Sequence, residues 1–283
     1  MRVKDIRQGP DKARVFEEWR GRARHWDAWA DRMAKMSDRF NQPLIEETGI
    51  RLGDKVLDLA SGTGEPALSI ARTVGPEGRV TATDLVPDML ESGARRAREA
   101  ALDNIAFEVA DMESLPFADG EFDRVTCRFG LMFVPDPVRA LAQAHRVLAA
   151  GGTAGFMVWG PFDDTTNFFV LRQAFLDLFP DEAPDFEIPF RLGAEGALKA
   201  LFAEAGFAEA EERELRFAPE IPATVKFWRP NVAMTLGHRL ENEPDSVRAA
   251  LEERIVARLE PYRERDVYRL AAHIRIGIGR RPA

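Results

Sequence analysis

The chain reads as an α/β protein built on a mainly parallel sheet. Two observations predict this. Short apolar runs of strand length alternate with helical segments from about residue 55 onward, the pattern of βαβ units. The first of these runs enters a glycine loop that opens a helix, at Leu59-Ala60-Ser61-Gly62-Thr63-Gly64-Glu65-Pro66.

The elements follow in order. Residues 10 to 48 carry Val15, Trp19, Trp26, Trp29, Met33, Met36 and Phe40 at mostly helical spacing. Gly21 should interrupt this helix, and Pro43 should start a second, short one that ends near Gly49. Lys55 to Ala60 is a buried strand, bounded by Gly53 and Gly62. Pro66 to Val74 is a helix, Arg79 to Thr83 a strand, and Pro87 to Ala101 a helix with proline in its first turn. Ile105 to Val109 and Phe122 to Phe129 are strands three and four. A helix from Pro137 to Leu148, a Gly151-Gly152 turn and a fifth strand, Thr153 to Trp159, come next. Beyond Trp159 the alternation loosens. Helices are expected at Asn167 to Leu178 and Glu195 to Ala205, the latter stopped by Gly206. Phe207 to Phe217 is a strand, residues 222 to 262 are helical, and Tyr268 to Ile278 is a last strand.

The chain divides into a helical cap (1–49), an α/β core (50–160) and a segment (161–283) that completes the sheet and carries helical insertions. Ligands of open α/β sheets lie beyond the C-terminal ends of the strands. The helical additions should cover that edge as a lid.

Composition narrows the class. The 283 residues include 45% hydrophobic and 30% charged side chains, a globular composition. Thirty-nine Lys and Arg against 47 Asp and Glu leave a net charge of −8, which disfavours a protein that binds by neutralising phosphates. The one cysteine, Cys127, excludes an intrachain disulfide framework and a cysteine-rich zinc site, and no metal is expected. The N-terminus is crowded with charge, at Arg2, Lys4, Asp5 and Arg7 among others, and has no apolar core of a signal peptide. No run of 18 apolar residues occurs, so a cytoplasmic protein without a transmembrane segment is expected.

The glycine loop carries the chemistry. Gly62 and Gly64 allow the chain to turn tightly and a ligand to approach the main chain, at a helix N-terminus that suits a negative group. With Ala67 they satisfy the loose G-x-G-x-x-G/A pattern, and Asp84 follows at the end of the second strand. Two more acids end strands, Asp58 on the first and Asp111 after the third. Asp58 suits an ammonium group, Asp84 a pair of ribose hydroxyls, and Asp111 an exocyclic amine such as adenine's. A ligand with amino-acid, ribose and adenine portions fits all three, and S-adenosyl-L-methionine (SAM) has that layout.

At these residues the chain resembles the class I SAM-dependent methyltransferases, and among them the UbiE/COQ5-like small-molecule group. The resemblance rests on five ordered segments. They are Val56 to Gly64, Val80 to Asp84, Ala110 to Phe117, Phe122 to Val125 leading to Phe129-Gly130-Leu131, and Arg146-Val147-Leu148 with Gly151-Gly152. It implies a Rossmann-like seven-stranded sheet of order 3-2-1-4-5-7-6 with the last strand antiparallel, with SAM as cofactor and S-adenosyl-L-homocysteine as product. It also implies that Ala60, Ser61, Gly62 and Gly64 line the methionine portion. Asp84 would take the ribose, with Leu85 packing on adenine, and Asp111 and Met112 would flank adenine. Arg128 and Phe129 would face the methionine and methyl end.

Methyl transfer needs alignment of nucleophile and methyl more than a fixed catalytic motif. The candidate base is His25, in Arg24-His25-Trp26-Asp27, with His238 a second pocket candidate; His145 and His273 read as structural. Trp19, Trp26, Trp29 and Met33 are candidates for an apolar or aromatic substrate pocket or for packing of the cap. The phenylalanine-rich insertions favour an apolar acceptor, methylated on oxygen, carbon or nitrogen. The single cysteine argues against arsenic as acceptor. Arg128-Phe129-Gly130-Leu131 stands where amino-methylating nucleic-acid enzymes carry Asn/Asp-Pro-Pro-Tyr/Phe, so no nucleic-acid substrate is expected. The competing readings are an NAD(P)-dependent oxidoreductase and a non-catalytic SAM-binding protein. The oxidoreductase gives Asp58 and Asp111 no role, and neither Tyr262 nor Tyr268 has a lysine four residues on. The sequence leaves the oligomeric state open.

Overall fold

A computed structural model describes residues 9–182 and 186–283, apart from the side chain of Lys35. Residues 1–8 of the expected cap, with Arg2, Lys4, Asp5 and Arg7, lie outside the described residues.

The first element among the described residues is one helix, α1 (Lys12–Thr48), capped by the Asp11 side chain on Arg14 N–H and closed by Gly49 in the left-handed conformation. Neither expected break occurs. Gly21 is helical, and Pro43 lies inside the helix. A proline in a helix interior costs about 3 kcal/mol or more. That cost is offset by a continuous inner face, on which Ala23, Ala30, Ser37, Asn41, Leu44, Ile45 and Thr48 are all buried.

The alternating part follows the expected order. It comprises β1 (Lys55–Leu59), α2 (Ala67–Val74), β2 (Arg79–Asp84), α3 (Pro87–Glu99), β3 (Ile105–Val109), β4 (Phe122–Arg128), α4 (Pro137–Val147) and β5 (Leu148–Trp159). Strand β5 starts five residues before the expected position. Gly151 and Gly152 are strand residues, because Leu148 already pairs with Phe122 and the register with β4 then shifts by an irregularity rather than a turn.

The remainder holds α5 (Thr166–Leu176), α6 (Ala197–Glu204), β6 (Ala208–Phe217), β7 (Glu220–Pro222), α7 (Trp228–Leu240), α8 (Asp245–Leu259), β8 (Arg263–Glu264), β9 (Val267–Arg269) and β10 (Ala272–Arg280). The expected last strand, Tyr268 to Ile278, is two strands. Its first part, β9, pairs with β7 and β8 in a small antiparallel sheet, which the sequence did not announce. Its second part, β10, joins the main sheet.

That main sheet has the order β3-β2-β1-β4-β5-β10-β6. Strand β10 runs antiparallel to both β5 and β6, and the other pairings are parallel. This is the expected seven-stranded arrangement. Alternate residues of each strand face opposite layers. Leu57, Leu59, Val125, Phe156 and Val158 pack with Leu141, Leu198 and Phe202 of α4 and α6. Val56, Val80 and Ala82 pack on the other side with Ile45 and Ile70. A separate apolar core joins α5, α7, α8 and β9 through Leu171, Phe175, Trp228, Leu236, Ile255 and Tyr268. This second core is the expected lid, held together by its own packing.

Candidate functional site

A cavity of about 820 Å³ lies between the strand ends, α1 and the lid. That is large enough for a cofactor-sized ligand with a second small molecule beside it. Its two halves differ in chemistry.

The first half is built at the ends of β1, β2 and β3. Ala60, Ser61, Gly62, Asp84, Leu85, Asp111 and Met112 all line it, as do Arg128 and Phe129 from the end of β4. The Asp84 carboxylate accepts hydrogen bonds from Gly62 N–H (2.9 Å) and Val86 N–H (3.0 Å). Burial pushes its pKa up and these backbone donors pull it back. Each oxygen keeps a free lone pair, which suits the two hydroxyls of a ribose. Gly62 has φ +54°, and nothing lies within 4 Å of where a Cβ would stand, so the loop is open towards the ligand space. Strands β1 and β4 both leave the sheet through non-glycine residues in the left-handed region, Ala60 (φ 52°) and Phe129 (φ 60°). The next residue after Phe129 has to be glycine. A Cβ on Gly130 would collide with Ala60 Cβ and stand 2.8 Å from Cys127 Sγ.

Asp111 is already partnered. Its Oδ2 accepts from Lys12 Nζ (2.6 Å) and its Oδ1 from Glu113 N–H (2.9 Å), while Lys12 also pairs with Glu113. Burial lowers the Lys12 pKa, but its hydrogen bonds to the Asp111 and Glu113 carboxylates, with their negative charge, outweigh it and leave the pKa raised. The start of α1 is thus tied to the Asp111 end of the site. Farther along, buried Asn41 donates to Glu65 (2.9 Å) and Ser69 (3.0 Å) and accepts from Arg128 Nη1 (2.9 Å). Arg128 Nη2 donates to the Glu65 carbonyl, and Arg96 reaches the Thr63 carbonyl. This network fixes α1 over the glycine loop. Lys12, Asn41, Glu65 and Arg96 were not singled out in the sequence. Their partners are remote, and Glu65 alone, beside Gly64, sat close enough to the motif to be noticed.

Two expected ligand residues do not line the cavity. Asp58 is fully buried beneath the loop; its Oδ1 accepts from Thr126 Oγ1 (2.6 Å) and its Oδ2 has no partner. Burial pushes its pKa up to about 7, with the Thr126 and Ser61 hydrogen bonds opposing. Gly64 (φ +109°) is a packing glycine. A Cβ there would stand 3.2 Å from Gly93 Cα and 3.0 Å from Leu68, so it lets α2 and α3 approach.

The second half of the cavity is aromatic. Phe129 stacks on Trp159 (4.3 Å between centroids, 8° between planes). Phe40 meets both edge-on at 5.5 and 5.8 Å, and Phe168 meets Trp159 at 5.2 Å. Trp29 and Met33 of α1 line the cavity with Met234 and Asn231 of α7, and Trp19 and Trp26 line it where they pack with Val86 and Met89 at the start of α3. Phe129 was expected at this end of the site, whereas the sequence marked Trp159 only as the end of its strand and gave no sign that the two rings stack.

His25 and His238 stand elsewhere, and among the described residues no histidine lines the cavity. His25 Nε2 lies 3.0 Å from Glu241 Oε1, where α1 meets α7. His238 borders a separate polar depression with Arg20, Asp27 and Arg95. Burial, then Arg22, Arg239 and His25, push the His238 pKa down to about 4. Burial likewise makes Cys127 a poor thiolate by raising its pKa.

The residues present fit SAM. An adenosine would meet Asp84, Leu85, Asp111 and Met112, and an amino-acid end would meet the open Gly62 loop and Arg128, whose buried Nε has no partner. Residues 11–179 match the model of the ubiE/COQ5 methyltransferase family. The chain is 45% identical over 114 residues to a Francisella philomiragia protein named ubiquinone/menaquinone biosynthesis C-methyltransferase UbiE, a match that spans 40% of this chain and 46% of that protein. It is 32% identical over 189 residues to Staphylococcus aureus demethylmenaquinone methyltransferase, spanning 62% of this chain and 76% of that one. Among solved structures, the Bacillus subtilis YcgJ protein superposes with a TM-score of 0.57 at 20% identity, covering 86% of this chain and 98% of its own. Haemonchus contortus phosphoethanolamine N-methyltransferase 2, solved with SAM, superposes at 0.55 and 17% identity, covering 87% and 53%. These two share the fold. No helix among the described residues is long and apolar enough to cross a membrane. With more than half its length matched by the family model, the chain belongs to the ubiE/COQ5 methyltransferase family, whose cofactor is SAM.

Proposed function

We propose that this chain transfers a methyl group from SAM to a ring carbon of a small aromatic acceptor of the quinol or phenol type. The observation that carries the reading is the continuity of the two halves, in which the Phe129–Trp159 stack borders the glycine-loop site on one side and an aromatic chamber on the other. The relatives named for ubiquinone, menaquinone and demethylmenaquinone chemistry support carbon as the methylated atom.

When bound, SAM supplies a methyl carbon activated by a positively charged sulfur. The protein's contribution is placement. Asp84 accepts the ribose hydroxyls. Lys12 holds Asp111 and so fixes the adenine end. Asn41, Glu65 and Arg128 lock α1 over the loop. The flat faces of Phe129, Trp159 and Phe168 hold an aromatic ring beside the methyl end. Holding two reactants in line can supply about 7–11 kcal/mol of the barrier reduction. An aromatic carbon activated by its own ring oxygen attacks with its π electrons, the sulfur leaves with the electrons of the S–CH3 bond, and the ring proton then passes to water. This agrees with a cavity that no histidine lines. Family membership sets aside the nicotinamide reading.

The test is turnover with SAM on a panel of quinols, phenols and amines, with products located by NMR. The expected result is a methyl on a ring carbon of a quinol or phenol. Methylation of amines alone would overturn the acceptor class, and SAM binding without any turnover would favour a non-catalytic protein.

A further inference from the structure

The chamber has a polar corner at the start of α5, outside the five motif segments that carry the resemblance. Thr165 stands at the N-cap position of α5 and is 2% exposed. A threonine there ordinarily turns its hydroxyl onto the N–H groups of the first turn. Here it makes no such bond, and its buried Oγ1 has no partner among the described residues. Thr165 lines the cavity, together with Asn167 and Phe168 from the same turn. The backbone N–H groups of Asn167 and Phe168 also have no partner among the described residues. A buried hydroxyl of this kind costs free energy until something hydrogen-bonds it, and the first N–H groups of a helix have no acceptor within it.

The corner is held in place from outside. Thr166 N–H donates to the Ala271 carbonyl (3.0 Å), and the Asp164 carboxylate lies 2.8 Å from His273 Nδ1. Both partners belong to the β9–β10 connection and β10. The acids of the cofactor half end β1 and β2 or follow β3, whereas this corner follows β5, on the other side of the sheet. Its immediate aromatic neighbour in the chamber wall is Phe168, which meets Trp159 at 5.2 Å.

We infer that Thr165 Oγ1, with the free N–H groups that open α5, is the subsite that takes an oxygen substituent of the aromatic acceptor, a ring hydroxyl or carbonyl. The hydroxyl can donate or accept, the N–H groups only donate, and the positive end of the helix favours charge building up on that oxygen. The subsite is a specificity determinant: it selects oxygenated rings over bare ones and fixes which ring face meets Trp159. The inference rests on the aromatic-acceptor reading above.

The test measures binding, with turnover not required. In the presence of S-adenosyl-L-homocysteine, 1-naphthol and naphthalene are titrated against wild type, Thr165→Val and Thr165→Ser, following quenching of tryptophan fluorescence. Wild type should bind 1-naphthol about tenfold more tightly than naphthalene, as one buried hydrogen bond would give. Thr165→Val should erase that difference by weakening naphthol alone, and Thr165→Ser should restore most of it. Equal naphthol affinity in wild type and Thr165→Val overturns the subsite and leaves the aromatic chamber standing. Failure of both probes to bind wild type overturns the aromatic-acceptor reading, and the subsite with it.

Discussion

The two halves of the cavity are built by different means. The cofactor half comes from short strand-to-helix and strand-to-loop links, in which Asp84 accepts from Gly62 and Val86 within a few residues of the strand ends. The acceptor half comes from chain segments that are remote in sequence: Phe40 from α1, Trp159 from β5, Thr165 and Phe168 from α5, and Asn231 and Met234 from α7. One half is a local polar device placed on a sheet edge. The other is a packed aromatic shell that exists only when the cap and lid are folded over that edge. The two should respond to mutation differently.

The largest separation is expected at Trp159. Its replacement by alanine removes the stack on Phe129 and the contacts with Phe40 and Phe168, at a cost of about 3–4 kcal/mol in urea unfolding. Acceptor binding should be lost and SAM affinity nearly kept. A loss of SAM affinity as large as the loss of acceptor would show that the halves are one unit.

Asp58 probes what lies beneath the cofactor half. An unfolded aspartate titrates near 3.8, and the buried one near 7. Between about pH 4 and 7 the native state therefore holds a proton that the unfolded state has lost. Stability is full below the lower value, falls as pH rises, and levels off above about 7. The fall in the ligand-free protein is about 4 kcal/mol. Asp58→Asn should flatten this slope in melts run from pH 4.5 to 8, and an unchanged slope would assign it to other groups.

Asp84→Ala should weaken SAM binding by about 1–3 kcal/mol, through lost charge-assisted hydrogen bonds, while the folded variant still binds an aromatic probe. An unchanged SAM affinity would show that Asp84 is not the ribose ligand. The smallest effect belongs to His25. Its pair with Glu241 is partly exposed and worth well under about 1 kcal/mol. His25→Gln should leave methyl transfer nearly unchanged, and a hundredfold loss with intact SAM binding would place a base in the cap after all.

The same contrast explains what could be read in advance. Gly62, Asp84 and Asp111 announce themselves because spacing along the chain sets their positions. The seven-strand order followed from the resemblance those motifs carry. Local signals misled where burial outweighed them. Pro43 reads as a helix start and Gly151-Gly152 as a turn, yet both are absorbed into longer elements whose neighbours bury or pair them. The ties that close the site were not readable, because they join residues far apart: Lys12 to Asp111 across 99 positions and Arg128 to Asn41 across 87. His25 drew notice as an imidazole among tryptophans, but its ring packs against Gly237 of α7 and pairs with Glu241. Asp58 drew notice as an acid at a strand end, and its chain position did not reveal that it points beneath the loop.

The proposed placement of SAM on the glycine loop and Asp84, beneath α1, is tested most directly by calorimetric titration, with SAM, S-adenosyl-L-homocysteine, NAD and NADP added separately to the full chain. Micromolar binding of the first two is expected, and none of the dinucleotides. Tight dinucleotide binding without SAM binding would contradict it.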